Sequence, residues 1–99
     1  MARQFDLCRT AAGSLVLVIQ SDLLQDLNTR AVCLALPEKG GPQTTSSLSP
    51  VLSAGDLRIH IAPHLVATLT LSELGAQIAN LSHERDRIIR SMDLMLTGS

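Results

Sequence analysis

Aromatic side chains are nearly missing from this 99-residue chain: one Phe, no Tyr and no Trp. Reading single-stranded nucleic acid by stacking needs such rings, so that class is set aside. Positive charge is not in excess either. Eight Lys and Arg stand against nine Asp and Glu, a formal net of −1. A chain that coats phosphate backbones needs a cationic surface to release counterions, and a polybasic membrane anchor needs one too. The longest apolar run, Leu15-Val16-Leu17-Val18-Ile19, falls far short of the roughly 20 residues that cross a bilayer. Cys8 and Cys33 are the only cysteines, too few for a four-thiolate metal site. The opening Met1-Ala2-Arg3-Gln4-Phe5-Asp6 has no apolar signal core, so a cytoplasmic, reducing compartment and buried free thiols are expected.

What is present is apolar. Hydrophobic residues make up 45% and charged residues 17%, a composition that folds rather than staying disordered. The length predicts a single domain over residues 1–99. Gln4 to Cys8 reads as a strand, Ala11-Ala12-Gly13-Ser14 as a turn, and Leu15 to Ile19 as a second strand in a hairpin. Since that second run is apolar throughout, both its faces should be covered. Leu23-Leu24 falls in a short irregular segment, and Arg30 to Leu36 is a third strand stopped by Pro37. Pro37 to Ser47 lacks large apolar residues and reads as a long solvated loop.

Pro50 to Ser53 and Leu57 to Ile61 flank the Ala54-Gly55-Asp56 turn as a second hairpin, with Arg58 and His60 on one face and Leu57, Ile59 and Ile61 on the other. Pro63 is expected to end that strand, and Leu65 to Leu71 to form another. The C-terminus carries the one good helix. Ser82 reads as its N-cap, Glu84 and Asp86 suit its positive end, and Ile88, Ile89, Met92, Met95 and Leu96 form a stripe of helical period. The whole is an α+β pattern: a small antiparallel barrel or twisted sheet with a terminal helix.

Conventional chemistry is hard to place on this chain. His60 and His64 are separated by Pro63, which breaks the helical spacing of a metal pair, and His83 reads as a surface histidine. No metal, cofactor or catalytic set is expected. Ser21-Asp22 and Ser82-His83 are sequence neighbours without a nucleophile elbow, and Lys39-Gly40-Gly41 is no phosphate loop. A barrel ribonuclease would need an acid, a base and cationic phosphate holders, for which Arg30, Arg58 and His60 are the candidates. Read as ordinary strand charges they do no chemistry, and the expectation is a protein that is not an enzyme.

Several stretches taken in order carry a family likeness: Ile19-Gln20-Ser21-Asp22-Leu23-Leu24, Arg30-Ala31-Val32, Pro50-Val51-Leu52 with Gly55-Asp56, and Gly75 through Ala79-Asn80-Leu81-Ser82-His83. The tail Asp86-Arg87-Ile88-Ile89-Arg90-Ser91-Met92-Asp93-Leu94-Met95 completes it. Their order and spacing resemble CcdB, the gyrase-poisoning toxin of plasmid-type toxin–antitoxin pairs. The resemblance implies an SH3-like antiparallel β-barrel with a long C-terminal helix, a cytoplasmic homodimer, and no enzymatic activity. It implies two partners: a CcdA-like antitoxin at Leu23 and Leu24, and the DNA gyrase A protein at Asp93, Leu96, Thr97, Gly98 and Ser99. No direct nucleic-acid or membrane contact follows from it. The same barrel serves the MazF and Kid endoribonuclease toxins, which supply the alternative reading.

One departure bears on the target. CcdB ends its helix with Phe-Trp-Gly-Ile, whereas this chain ends Leu96-Thr97-Gly98-Ser99. Losing an aromatic anchor from an interface removes ~2–4 kcal/mol of binding, so gyrase contact is expected to be weakened.

Overall fold

The computed structural model describes residues 2–38 and 49–98. Of the expected Pro37–Ser47 loop, residues 39–47 lie outside this range, as does Ser99 of the expected gyrase contact.

Six antiparallel strands form one curled sheet, a half-barrel, with a C-terminal helix against it. The strands are β1 (Asp6–Arg9), β2 (Leu15–Val18), β3 (Thr29–Pro37), β4 (Val51–Ala54), β5 (Leu57–Thr70) and β6 (Ala76–Asn80). Their spatial order is β4-β5-β3-β2-β1-β6. Short helix α1 (Leu71–Leu74) joins β5 to β6, and α2 (Arg85–Thr97) follows a single 3-10 turn at Ser82–Glu84.

Strand β2 shows why the apolar run was informative. All four of its residues are buried. Leu15 and Leu17 enter the main core with Phe5, Leu7, Cys33, Ile59, Ile61 and Ile88, while Val16 and Val18 enter a second core with Cys8, Val32 and Leu74. The lone aromatic, Phe5, reaches the main core from a positive φ of 70°, a conformation few non-glycine residues adopt. Its backbone is tied on both sides, by its N–H to Val18 and its carbonyl to Leu81.

Pro63 does not end a strand. Strand β5 runs through it, because its pairing with β3 shifts between Cys33, opposite Val66, and Leu34, opposite Ala62. Pro63, His64 and Leu65 are thereby left unmatched, so the missing proline N–H is never required by the ladder. The final stretch expected as one strand to Leu71 instead ends in a capping box. Thr70 accepts from the Glu73 N–H while the Glu73 carboxylate accepts from the Thr70 N–H. The Thr70 N–H and the Thr70 hydroxyl, both donating to the exposed Glu73 carboxylate, lower its pKa from the ordinary value.

Helix α2 starts later than expected. Ser82 lies in the 3-10 turn, and the cap position is Glu84, whose side chain makes no cap bond. Glu84 instead accepts from the Ser53 N–H at 3.1 Å, while the His83 Nε2 sits 2.6 Å from the Ser53 carbonyl oxygen. Together they latch the helix entrance to edge strand β4. The buried face of α2 is centred on Ile88 and Ser91, with Ile89 and Met92 packed partly against the core. Leu96 lies beyond it, 72% exposed.

Candidate protein-binding surfaces and a charged sheet face

The segment between β2 and β3 raises three leucines into solvent. Leu23 is 93% exposed, with Leu24 and Leu27 about half exposed. Exposed apolar side chains on a floppy loop would collapse, but this backbone is held. Ser21 Oγ accepts from the Leu23 N–H, and successive turn bonds run from Leu24 to Ser21, Gln25 to Asp22 and Leu27 to Leu24. Gln20 Nε2 donates to the carbonyls of Leu24 and Thr29, and its Oε1 accepts from the Ala31 N–H. Asp22 Oδ1 accepts from the Gln4 N–H at 2.8 Å.

Underneath lies Arg30, fully buried. Its guanidinium donates to four carbonyl oxygens: Ala2 at 3.1 Å, Leu27 at 2.6 Å, Thr29 at 2.8 Å and Gln25 at 3.1 Å. A candidate phosphate holder in the sequence is therefore committed to the fold. Nothing in the sequence distinguishes it from a surface strand arginine.

The helix end is built differently. Asp93 and Leu96 are exposed. Thr97 Oγ1 donates to the Asp93 carbonyl at 2.7 Å, and Gly98, at φ 74°, closes the helix with its N–H on the Leu94 carbonyl. Only glycine takes that left-handed cap without strain. Four of the five expected gyrase-contact residues, Asp93, Leu96, Thr97 and Gly98, thus cluster at one helix terminus, carried by a different element from Leu23 and Leu24.

A third feature was only half visible in the sequence. Arg58 and His60 lie on the sheet face opposite the main core, as their alternation with Ile59 and Ile61 requires. Glu38, just past β3, joins them: its Oε2 is 3.2 Å from Arg58 Nε, and its side chain is only 4% exposed. Twenty residues separate the pair, so no local pattern announces it. His64 is exposed in the β5 bulge, and His83 is engaged with Ser53. No group of three potential metal ligands occurs among the described residues.

Asp6 was missed altogether. Its carboxylate is buried and accepts from the Arg3 N–H, Gln77 Nε2 and Asn80 Nδ2, each at 2.8 Å, which pins β6 to β1. Both thiols are free and buried. Burial pushes Cys33 up to about 12, and burial with the Asp6 charge raises Cys8. No described helix is long and apolar enough to cross a membrane.

Comparison with known proteins bears on both readings. No curated protein matches the sequence. Among solved structures, an endoribonuclease from Mycobacterial species superposes with a TM-score of 0.78 at 12% identity, covering 96% of this chain and 90% of that one. An endoribonuclease in complex with its cognate antitoxin, also from Mycobacterial species, gives 0.77 at 12% identity, with 97% and 95% covered. At that identity the likeness establishes the fold. It overturns the expectation of a non-enzymatic protein, which was drawn from reading Arg58 and His60 as ordinary strand charges and from the family resemblance: proteins named as endoribonucleases share the fold nearly end to end. The family model described as CcdB protein matches residues 4–98, and on that match the chain belongs to the CcdB family of toxins from toxin–antitoxin systems.

Proposed function

We propose that the chain acts as a toxin by docking on proteins, with a CcdA-like antitoxin seated on Leu23 and Leu24 and the DNA gyrase A protein met by Asp93, Leu96, Thr97, Gly98 and Ser99. The observation that carries this reading is Leu23, almost fully exposed on a backbone tied down by Gln20 and Arg30. A rigid apolar knob loses little entropy on binding, which suits capture of a disordered partner segment. The missing terminal aromatic leaves gyrase contact weaker than the antitoxin contact. A homodimer and a cytoplasmic location belong to the same reading, as does a single domain over the whole chain. The test is calorimetric titration of the purified toxin with the gyrase A protein and with the antitoxin, alongside an assay for trapped gyrase–DNA cleavage complexes. Binding to neither partner would sink it.

The shared fold favours a second reading, an endoribonuclease toxin. Cleavage of RNA by purified protein in the absence of gyrase would select it.

A further inference from the structure

We propose that the cleft between α1 and the β1–β6 seam binds an alkylammonium group, with the Asp6 carboxylate as its counter-ion and an aliphatic wall along its stem. The ligand class is a primary amine on a short methylene chain, carried by a lysine side chain or by a free amine.

The site follows from strand alternation. In β1, Leu7 enters the main core, so Asp6 and Cys8 lie on the other side of the sheet. Their partners on β6 are Asn80 and Gln77. Helix α1, started by the Thr70 capping box, brings Leu74 to the same side, where it is buried in the second core with Cys8. Between helix and strands is a cleft of about 360 Å3, walled by Ala2, Cys8, Leu71 and Leu74 and carrying Asp6 and Gln77.

Asp6 is the one ionised residue lining this cleft. Cys8 keeps its proton, because burial and then the Asp6 charge raise its pKa. Asp6 is 3% exposed, and all three of its hydrogen bonds come from neutral donors: the Arg3 N–H and the side-chain amides of Gln77 and Asn80. No cation pairs with it among the described residues. Buried Arg30 stays one peptide group away. Its Nε donates to the Ala2 carbonyl, and the Arg3 N–H of that same peptide donates to Asp6. A buried carboxylate supported only by neutral dipoles attracts a compensating positive charge.

The acceptor positions left open select the kind of cation. Oδ1 of Asp6 already accepts two donors and Oδ2 one. A carboxylate offers about four such positions, so a single one is left, on Oδ2. A guanidinium fork requires both oxygens side by side, whereas an ammonium is a point donor and requires one. A second acceptor is at hand in Gln77. Its Nε2 is bound to Asp6, and no described residue donates to its Oε1. Ala2, Leu71 and Leu74 then flank the methylene stem, as apolar surface commonly flanks lysine stems. Leu71 also donates its N–H to the Asn28 carbonyl, at the foot of the loop that carries Leu23, Leu24 and Leu27. A lysine of a segment docked on that loop is one source of the ammonium, and a free amine is the other.

The experiment titrates the isotope-labelled full chain with n-butylammonium and follows the side-chain amide resonances of Gln77 and Asn80 by NMR. n-Butanol is the neutral control, n-butylguanidinium the fork control and N-acetyl-lysine N-methylamide the peptide source. Expected is binding in the millimolar range, usual for so small a ligand, with shifts that butanol does not produce. Affinity should fall about 10- to 100-fold in Asp6→Asn, the usual size of a charged hydrogen bond. Leu71 is 38% exposed, so Leu71→Lys leaves Asp6 intact, and its tethered ammonium should exclude the free one. That variant decides the matter if Asp6→Asn does not fold, which circular dichroism and thermal melting report. Blocked lysine binding as tightly as butylammonium assigns the ligand to a protein side chain, and markedly weaker binding assigns it to a free amine. No shift on titration, equal shifts with butanol, guanidinium binding as tight as ammonium, or unchanged affinity in either folded variant overturns the site.

Discussion

The Arg30 guanidinium donates to the Leu27 carbonyl oxygen at 2.6 Å, placing a fully buried cation directly beneath an exposed apolar loop. Its four bonds all go to backbone carbonyls, and no carboxylate pairs with it among the described residues. The positive charge is offset by converging peptide dipoles, and the loop owes its shape to that convergence. Arg30→Ala would leave several buried carbonyls unpaired, each worth ~1–3 kcal/mol. Expected is a loss of more than about 3 kcal/mol, or a melting temperature lowered by roughly 10–20 °C. Arg30→Lys should recover little, since one ammonium cannot span the four acceptors. Thermal melting of both variants checks this.

Leu24 tests the surface that Arg30 supports. It is 51% exposed, so Leu24→Arg should change folding stability by less than about 0.5 kcal/mol. At an apolar docking contact the same change introduces an unpaired charge, and antitoxin affinity should fall at least ~30-fold, about 2 kcal/mol. Calorimetry of the variant reads the affinity and melting reads the stability. Unchanged affinity would take Leu23 and Leu24 out of the antitoxin site.

Cys33 gives a pH dependence with a definite sign. Folded, its thiol holds the proton to about pH 12, whereas the reference thiol releases it near 9.0. The stability it contributes is complete below pH 9 and is lost as pH rises toward 12, at up to about 1.4 kcal/mol per pH unit. Denaturant midpoints of wild type and Cys33→Val should therefore converge with rising pH if the wild type starts higher, or diverge if it starts lower. A difference constant from pH 8 to 11 would mean that the thiol ionises in the folded state.

Gly75 is a fixed point of the β6 edge. It sits at φ 67°, ψ −146°, and a Cβ there would overlap the Arg9 carbonyl oxygen. Alanine would meet both the conformational penalty and that backbone clash, so Gly75→Ala should destabilise by at least about 2 kcal/mol. Gly13, with open space around it, should tolerate the same substitution better despite its own positive φ. Chemical denaturation of the two variants side by side distinguishes clash from conformation.

Much of the fold was legible where one residue type leaves few choices. The apolar run at Leu15–Val18 demanded cover on both faces and has it. Ile88 and Met92 announced the helix face, although buried Ser91 shifts its centre. Strand β6 was not legible, because Ala76-Gln77-Ile78-Ala79-Asn80 has one β-branched residue and a register shift where it meets Leu7 and Cys8. It is held by Asp6, distant in sequence. The same distance hid the Glu38–Arg58 pair and the burial of Arg30. Exposure of Leu23 and Leu24 was expected only through the family likeness, since an isolated Leu-Leu reads equally well as core.

The helix tail sets sequence and family against each other, and a gain of function tests it more sharply than a loss. Thr97 is exposed and spends its hydroxyl on the Asp93 carbonyl, so it offers a partner little apolar surface. A Trp in its place can bury roughly 200 Å2. The triple variant Leu96→Phe, Thr97→Trp, Ser99→Ile should therefore bind the gyrase A protein more tightly, by ~30-fold or more, and trap more cleavage complexes. The fold should survive, because α2 is anchored by Ile88, Ser91 and Met92, well before the altered positions, and Gly98 keeps its left-handed cap. Titration of the gyrase A protein with wild type and variant supplies the comparison, with circular dichroism as the control on structure. Equal affinities would show that this helix end does not face gyrase.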